Sequence, residues 1–387
     1  MCILYFINYQ KMKLLFFVDS LIYSGGIQRM LTNKVNYLSS KEEYEVHIIC
    51  YDKPHSQPFF SLNDNIRVHF INIENFQKTL LEKISYLPKM IRNTLKLVKT
   101  INPDMIINEN MKTMTFLLPL IIKKIPLIYV IHFSFDGLMQ MSQNIYKNKI
   151  IRRYINSIRF FILKKYTRFV VLTEEDKTKW RLPNCQVIPN FTCINNSFQS
   201  KLTNKTAIFV GRFSPEKDLP TLIKAWKIVS ETEPEWKLEL YGDGIEKEKI
   251  ISLIQKLKLE KFVYLKGKSS DIEEAYRNSS LLVLTSKFEG FVLVALEALT
   301  MGVPCITFDI PGCNNMIENG INGFLVKEHS HIKMGNKILE YIQSNSSEKY
   351  AMQQRIPETI KKFSIDFVMQ QWIDLFHTCI NKNKFKQ

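Results

Sequence analysis

Short apolar runs alternate along the chain with longer stretches in which apolar residues recur every three or four positions. The runs LLFFV at 14–18, EVHIICY at 45–51 and TAIFVGR at 206–212 are typical of buried strands, whereas the stretches at 28–38 and 218–231 have the period of a helix. Strands that alternate with helices predict parallel sheets with crossover helices. Uniformly apolar strands predict sheets that are covered on both faces.

This alternation occurs twice, which predicts two domains in a chain of 387 residues. Residues 12–200 make up the first series and residues 201–360 the second, with a polar, turn-rich linker at 195–205. The fold class is therefore α/β. Helices are expected to fill the remainder, including residues 361–387.

The N-terminus and the cysteines indicate the compartment. Residues 1–11 are apolar but lack a basic region and a cleavage site, so they make a poor signal peptide. Met12 directly precedes a predicted strand, and we hypothesise that translation starts there and that residues 1–11 are an upstream extension. The apolar window at 116–131 is interrupted by prolines and lysines, so it cannot supply ~20 continuous apolar residues for a membrane span. Seven scattered cysteines without zinc spacing predict reduced thiols in a cytoplasmic protein.

The net charge of +16 is unevenly distributed. Residues 1–200 contain 27 Lys and Arg against 14 Asp and Glu, whereas residues 201–387 contain 26 against 23. This asymmetry indicates that the first half meets an anionic partner. A basic nucleic-acid-binding protein is one candidate, but the charge lies mostly in one half and no RNA- or DNA-binding motif occurs.

Two glutamates stand in the segment SKFEGFVLVALEALTMGVPC at 286–305. Glu289 follows a predicted strand, and Glu297 lies within a helix expected from about Phe291 to Met301. Ligands bind at the carboxyl edge of open α/β sheets, and the helix N-terminus favours phosphate. A buried carboxylate needs hydrogen bonds, which ligand hydroxyls supply. The alternative is that Glu289 is a surface loop residue and Glu297 pairs with a cation.

Three other strand ends have candidate binding residues. Arg212 and Lys217 follow the strand at 206–210, with Asp218 as the expected helix N-cap, and two cations spaced in this way suit one diphosphate. Asp243, in YGDG, and the Lys266–Lys268 stretch end two more strands, where they line a nucleotide or form ordinary turns.

In the first half, Gly25 and Gly26 open a helix and let the backbone approach a ligand, although the G-x-G-x-x-G fingerprint is absent. His132 directly follows the strand at 127–131, where it is either a site residue or a structural histidine.

GRFSPEKD, YGDG, LKGKSSDIEEAYRNSSLLVLTSKFEGFVLVALEALTMGVPCITFDIPG and ENGINGFLV occur in this order and spacing. Together they resemble family 4 of the retaining glycosyltransferases, most closely over 206–327 and more loosely through SGGIQR and His132. The resemblance implies the GT-B fold, in which two Rossmann-like, doubly wound domains face each other across a cleft. It also implies that the first domain binds the acceptor, the second binds the nucleotide-sugar, and the C-terminal helix crosses back to the first.

The resemblance also implies roles for matching residues. Arg212 and Lys217 would hold the donor diphosphate, Glu297 would bind the ribose, and Gly25 and Gly26 would line the cleft from the other domain. Glu289 and the backbone of the donor-binding residues Gly290, Phe291 and Val292 would contact the donor sugar and phosphates. The catalytic residues would be Glu289 and His132, with His132 near the transferred sugar. Val292 stands where the family often has proline, and GCNN at 312–315 is an uncommon version of the next loop. Both differences bear on sugar preference.

The expected reaction moves a sugar from a UDP- or GDP-sugar to a saccharide or a lipid-linked saccharide with retention of configuration, in surface-polysaccharide biosynthesis. The nucleotide-sugar is a co-substrate and no cofactor is expected. No carboxylate pair of the DxD type occurs, so we expect transfer without a metal. Whether Glu289 acts as a nucleophile or positions the sugar is left open by the residues. The enzyme alternative is a nucleotide-sugar epimerase on the same fold.

The stretch YKNKIIRRYINSIRFFILKKYTRF at 146–169 contains eight Lys and Arg and no acidic residue. A helix is expected over 144–166, and the spacing of Ile151, Ile155, Ile158 and Ile162 predicts that one face packs on the core. The remaining surface is either an ordinary solvated face or a docking surface for anionic lipid, where polyprenyl-diphosphate-linked acceptors reside. The second alternative places the protein at the inner face of the cell membrane.

Overall fold

A computed structural model describes residues 11–71, 80–109, 112–194, 199–269 and 271–384. The chain forms two compact units. The first comprises the described residues up to His132, then Ser142–Ile188 and the chain from Met369 onward, and the second comprises Phe133–Met141 and Pro189–Val368. Most of the predicted upstream extension and part of the predicted linker lie outside the described residues.

The first series of helices and strands begins with a buried strand and ends with the last strand of the first sheet. In chain order they are β1 (Met12–Phe17), α1 (Gly26–Ser39), β2 (Tyr44–Cys50), β3 (Arg67–Phe70), α2 (Leu80–Ile101), β4 (Met105–Asn108), α3 (Lys112–Ile121), β5 (Leu127–Val130), α4 (Phe135–Ile145), α5 (Lys149–Leu163), β6 (Arg168–Val171), α6 (Glu174–Trp180) and β7 (Cys185–Val187).

The first sheet is parallel, with the strand order β3-β2-β1-β4-β5-β6-β7. β1 lies at its centre, where Leu14 is opposite Val46 of β2 and Met105 of β4. Leu14 to Phe17 have no exposed surface, which explains why this strand is apolar on both faces. The strand order reverses between β1 and β4, and a reversal of this kind opens a crevice at the carboxyl ends of the strands.

The second series follows the same plan. Its elements are β8 (Thr206–Val210), a 3-10 turn (Pro215–Lys217), α7 (Leu219–Thr232), β9 (Lys237–Tyr241), α8 (Lys247–Lys256), β10 (Val263–Gly267), α9 (Ile272–Arg277), β11 (Leu281–Leu284), α10 (Leu293–Thr300), β12 (Cys305–Phe308), α11 (Pro311–Asn314), β13 (Gly323–Val326), α12 (His331–Gln343), α13 (Ser346–Ile360), a second 3-10 turn (Lys361–Phe363) and α14 (Ile365–Lys384).

The second sheet is also parallel, with the order β10-β9-β8-β11-β12-β13. Its order reverses between β8 and β11, so the loops that follow these two strands flank the crevice. On one side of the core, α7 buries Trp226 and Val229 completely. The two sheets confirm the predicted α/β class with two doubly wound parallel domains. Helix α14 begins in the second unit and ends in the first, because the first unit includes the chain from Met369.

The helix of the basic stretch is shorter than predicted. It spans Lys149–Leu163 (α5) and not 144–166, because the side chain of Asn148 accepts hydrogen bonds from the N–H groups of Ile150 and Ile151 and so starts the helix there. The predicted core face is wrong in part, since Ile162 is buried but Ile151 and Ile158 are exposed.

The described cysteines are free thiols. Over the described ranges, no helix has both the length and the apolar character needed to cross a bilayer.

Candidate functional site

The candidate site of the second unit is formed by the loops after β8 and β11. Arg212 and Lys217 follow β8, and Glu289 follows β11, so the sheet order alone brings these loops to the same edge. The Thr285 hydroxyl connects the two loops, because the carbonyl oxygens of Lys217, at 3.1 Å, and Asp218, at 3.0 Å, are both within reach of its single proton. The N–H of Lys287 donates to the carbonyl of Glu216 at 2.8 Å.

Lys217 and Glu289 form an ion pair between these two loops. Their side chains are only 15% and 14% exposed, respectively. The Ser286 hydroxyl donates a second hydrogen bond to the same carboxylate oxygen, Glu289 Oε1, at 2.7 Å. An ammonium group has three N–H donors, so Lys217 retains hydrogen-bonding capacity for a ligand anion while it holds Glu289 in place.

Gly312, at the start of α11, packs directly against Glu289. A Cβ atom at this position would lie 2.9 Å from Glu289 Cβ and 3.0 Å from its carbonyl oxygen. Any other residue would therefore displace the loop after β11 that contains Glu289, which we call the glutamate loop. The loop GCNN, which the sequence analysis connected with sugar preference, thus also supports the position of the Glu289 carboxylate.

Gly290, Phe291 and Val292 lead from Glu289 into α10, and all three are buried. The Phe291 ring packs edge-on against Phe363, with centroids 5.6 Å apart. Helix α10 begins at Leu293, two residues later than expected, so the buried segment is the approach to the helix. The first-turn N–H groups of α10 and its positive dipole end stand next to the glutamate loop.

Two other predicted donor-binding side chains, Arg212 in the loop after β8 and Asp243 in the loop after β9, are more exposed. The Arg212 guanidinium is 79% exposed and lies 3.8 Å from Glu216. The Asp243 carboxylate accepts a hydrogen bond from the N–H of Gly244 at 2.9 Å and lies 3.7 Å from Lys247. The backbones of the two loops are in close contact, because a Cβ on Gly242 would lie 1.9 Å from the carbonyl oxygen of Gly211.

Glu297 is 2% exposed, and a tyrosine contributes one of its hydrogen bonds. The hydroxyl of Tyr276, on α9, donates a hydrogen bond to Glu297 Oε2 at 3.0 Å. It also lies 3.3 Å from the carbonyl oxygen of Val294. The sequence analysis did not identify Tyr276 as a site residue, although its position on α9, the helix before β11, indicated a core residue.

Asp218 is the N-cap residue of α7, as expected, but its backbone is left-handed, with φ 48°, and its side chain accepts no hydrogen bond from a helix N–H. Its carboxylate instead accepts from the Thr221 hydroxyl at 2.8 Å and from His329 Nε2 at 3.0 Å, while Lys287 lies 3.7 Å away. Burial would raise the pKa of Asp218, but the hydrogen bonds from His329 and Thr221 outweigh burial and lower it. The charged carboxylate thus fixes the turn that presents Lys217.

In the first unit, three buried side chains are connected in series by polar contacts. The sequence analysis predicted one of the three, His132. Lys34, on α1, lies 2.6 Å from Glu109 Oε1, and His132 Nε2 lies 2.7 Å from Glu109 Oε2. The Glu109 side chain has no exposed surface, and Lys34 also lies over the ring of Trp372, 3.8 Å from its centroid. Glu109 directly follows β4, at the strand-order reversal.

Electrostatics determine the state of this cluster. Burial alone would raise the pKa of Glu109, but the charge of Lys34 and the hydrogen bond from His132 hold it at about 2. An ionised carboxylate only accepts hydrogen bonds, so Nε2 of His132 must be protonated. In a neutral imidazole this leaves Nδ1 as an acceptor for a ligand hydroxyl. Lys34 and Glu109 therefore fix the orientation and the tautomer of His132.

Gly25 and Gly26 lie at the N-terminus of α1, where Gly25 is the N-cap residue in an extended conformation. A Cβ on Gly25 would lie 2.3 Å from Gln28 Oε1, whereas one on Gly26 would meet nothing within 4 Å. Gln28 in turn donates to the carbonyl of Ser20 at 3.1 Å. The backbone at Gly26 is thus open to a ligand.

Among the described residues, no group of three His, Cys, Asp or Glu side chains is arranged to hold a metal ion.

Family models match both halves of the chain. The model described as Glycosyl transferase 4-like matches residues 13–165, and the one described as Glycosyl transferases group 1 matches residues 192–362. The chain therefore belongs to the glycosyltransferase enzymes with the GT-B fold.

Individual relatives agree with this assignment. An uncharacterized glycosyltransferase of Haemophilus influenzae is 27% identical over 93% of this chain and 98% of its own length. The poly(ribitol-phosphate) alpha-N-acetylglucosaminyltransferase of Staphylococcus aureus is 26% identical over 89% of this chain and 70% of its own. A crystal structure of S. aureus TarM with UDP, fondaparinux and alpha-GlcNAc-glycerol has the same fold, with a TM-score of 0.75 at 18% identity, over 94% of this chain and 99% of that one.

Proposed function

We propose that the protein is a retaining glycosyltransferase that moves a sugar from a UDP- or GDP-sugar to a saccharide or lipid-linked saccharide acceptor. The observation on which this rests is the partly exposed Lys217–Glu289 ion pair at the carboxyl edge between β8 and β11. That edge combines a cation, a carboxylate and a helix N-terminus, which are the groups that a sugar diphosphate requires. The S. aureus relative, which by its name transfers a sugar to a phosphate polymer, supports a role in surface-polysaccharide or related polymer assembly.

In the proposed complex, Lys217 and Arg212 bind the donor diphosphate. Lys217 is held in place by Glu289, whereas the exposed Arg212 is free to fold onto the phosphates once a donor arrives. The α10 N-terminus adds backbone N–H donors beside Gly290, Phe291 and Val292. Glu297, kept in place by Tyr276, is proposed to bind the ribose, and Asp243 to line the nucleotide side.

The reaction breaks the bond between the anomeric carbon and the diphosphate oxygen and forms a bond to an acceptor oxygen. Negative charge grows on the leaving diphosphate, and the two cations and the helix end stabilise it electrostatically. The acceptor proton must leave as its oxygen bonds to carbon, and the departing phosphate oxygen is a base on the correct face for retention. No metal ion is required in this scheme.

The first unit is proposed to contribute His132, Gly25 and Gly26. The Nδ1 atom of His132, with its tautomer fixed by Glu109, accepts a hydrogen bond from a hydroxyl of the transferred sugar. The backbone at Gly26 leaves room for ligand atoms. Glu289 acts on the sugar either by positioning it or by stabilising positive charge at the anomeric carbon.

The test is a turnover assay with a panel of UDP- and GDP-sugars. A transferase releases free nucleoside diphosphate with transfer or slow hydrolysis, whereas an epimerase interconverts UDP-sugars without releasing nucleotide. Glu289→Gln should lower turnover by orders of magnitude, while Glu231→Gln, a matched change at an exposed carboxylate on α7, should not. Equal turnover in both variants, or epimerisation alone, would overturn the proposal.

A further inference from the structure

Helix α5 has two apolar faces, of which only one packs on the first unit. Ile162 and Leu163 are buried, and the Phe160 ring packs against Trp180 with centroids 5.3 Å apart. The second face points to solvent. Its apolar side chains are exposed by 41% to 79%, and they are Ile150, Ile151, Tyr154, Ile158 and Phe161.

These five residues, which we call the α5 stripe, form one continuous surface. At 100° per residue, their positions fall within about 100° of the helix circumference. Scattered exposed apolar residues are ordinary, but five on one helix face mark an interaction site. Neighbouring helix α3, which packs against α5, exposes Phe116 and Leu120 on one face, and it is followed by exposed Lys123 and Lys124.

The α5 stripe is bordered by cations. Arg153 stands beside it on the helix, and Lys147 and Lys165 lie just beyond its two ends, all three of them exposed. Residues 146–169 contain no Asp or Glu. None of their eight Lys and Arg forms an ion pair with a carboxylate in the part of the chain that the structure describes.

We propose that the α5 stripe and its flanking cations dock onto an anionic phospholipid bilayer. A helix that lies in the membrane interface needs an apolar face for the acyl boundary and lysines or arginines at the level of the headgroups. A second protein copy would have to offer both an apolar surface and excess negative charge, and this chain has a net charge of +16. A hydrophilic polyanion would match the cations but would leave the apolar stripe in water.

This docking brings the enzyme to the surface on which lipid-linked acceptors are held. It does not depend on the proposed transfer reaction, because lipid binding and turnover are measured separately. Failure of one would leave the other standing.

The test is co-sedimentation of the full-length protein with phosphatidylcholine vesicles that contain or lack 40% phosphatidylglycerol, at low and high salt. We expect binding only to anionic vesicles. Arg153→Gln with Lys165→Gln should lower the partition coefficient about thirtyfold, since each cation near such a surface is worth about fivefold. The control variant, Lys53→Gln with Lys96→Gln, changes two exposed lysines outside the α5 stripe and so tests for the loss of net charge alone.

A second pair of variants isolates the apolar part. Tyr154→Ala with Phe161→Ala should lower partitioning at least tenfold, whereas Tyr350→Ala with Phe367→Ala, equally exposed elsewhere, should not. Equal binding to neutral vesicles, or unchanged binding after loss of the stripe residues, would overturn the proposal. If the wild type does not bind vesicles and a stripe variant loses self-association in ultracentrifugation, the partner of the α5 stripe is a second copy of the chain and not a bilayer. Competition by soluble heparin together with indifference to the stripe change would indicate a polyanion instead.

Discussion

Replacement of Lys34 by methionine tests the buried cluster of the first unit most severely. Methionine keeps the apolar length of the side chain but removes the ammonium that lies 2.6 Å from Glu109 Oε1. The Glu109 carboxylate has no exposed surface, so the variant leaves a buried charge without its cation. Breaking one half of a buried pair costs about 3–5 kcal/mol of folding free energy. Loss of the cation above Trp372 adds to this cost.

The four tryptophans allow the measurement to be made on one unit at a time. Trp180 and Trp372 belong to the first unit, and Trp226 and Trp236 belong to the second. Fluorotryptophan labelling and ¹⁹F NMR in increasing urea therefore follow the two unfolding transitions separately, as a two-domain chain requires. Lys34→Met should shift the transition reported by Trp180 and leave that of Trp226 in place.

Two further variants complete this experiment. Lys41→Met changes an exposed lysine after the same helix and should cost no more than about 0.5 kcal/mol. Lys34→Met combined with Glu109→Gln removes both charges and should be more stable than the single variant, because no uncompensated carboxylate remains. If Lys34→Met costs no more than Lys41→Met, or if the double variant is the less stable, the account of the ion pair is wrong.

Three other predictions concern Glu109, Tyr276 and metal independence. Because the folded pKa of Glu109 is about 2 against an ordinary 4.5, this carboxylate stabilises the first unit above pH 4.5, and the stabilisation is lost as the pH falls toward 2. In urea titrations at a series of pH values, Glu109→Gln should reduce the loss of unfolding free energy at acid pH by about 3 kcal/mol, and an unchanged pH dependence would contradict this. Tyr276→Phe should destabilise the second unit by about 1–3 kcal/mol by removing a donor to buried Glu297, and exposed Tyr264→Phe should be neutral in the same ¹⁹F experiment. Turnover should survive EDTA, and strict loss restored by Mg²⁺ would count against transfer without a metal.

The parallel sheets could be predicted from sequence because their strands are uniformly apolar and regularly spaced by helices. Strands such as β1, β8 and β11 are buried on both faces, and few other structures suit such runs. The ends of β5, β8 and β11 fall within two residues of the prediction, so His132, Lys217 and Glu289 follow strands as expected. Helix ends were less predictable, because α10 begins at Leu293 after a buried segment that has no capping residue.

The contacts between distant residues could not be predicted in the same way. Lys34 lies on the face of α1 that also presents Met30 and Leu38 to the core, yet a lysine in a helix usually reaches solvent. Glu109 follows β4 and His132 follows β5, and this shared position after a strand was the available sequence signal for their contact. Only the sheet order, in which β4 and β5 are neighbours, shows that the two side chains meet.

The error over α5 has a physical cause of its own. Helical spacing of Ile151, Ile155, Ile158 and Ile162 identifies an amphipathic helix, but it does not identify which apolar face packs on the core. The start of the helix at Asn148 and the contact of Phe160 with Trp180 settle the rotation of the helix. This rotation turns Ile151 and Ile158 outward.

The central claim is that the edge between β8 and β11 binds the diphosphate of a sugar nucleotide, and calorimetric titration with UDP and GDP tests it most directly. Lys217→Gln and Arg212→Gln should each weaken nucleoside diphosphate binding at least tenfold, because each removes a cation from the phosphates. Lys227→Gln, at an exposed lysine on α7, should bind as the wild type does. Equal affinity in all four proteins, or no binding of either nucleotide by the wild type, would contradict the account.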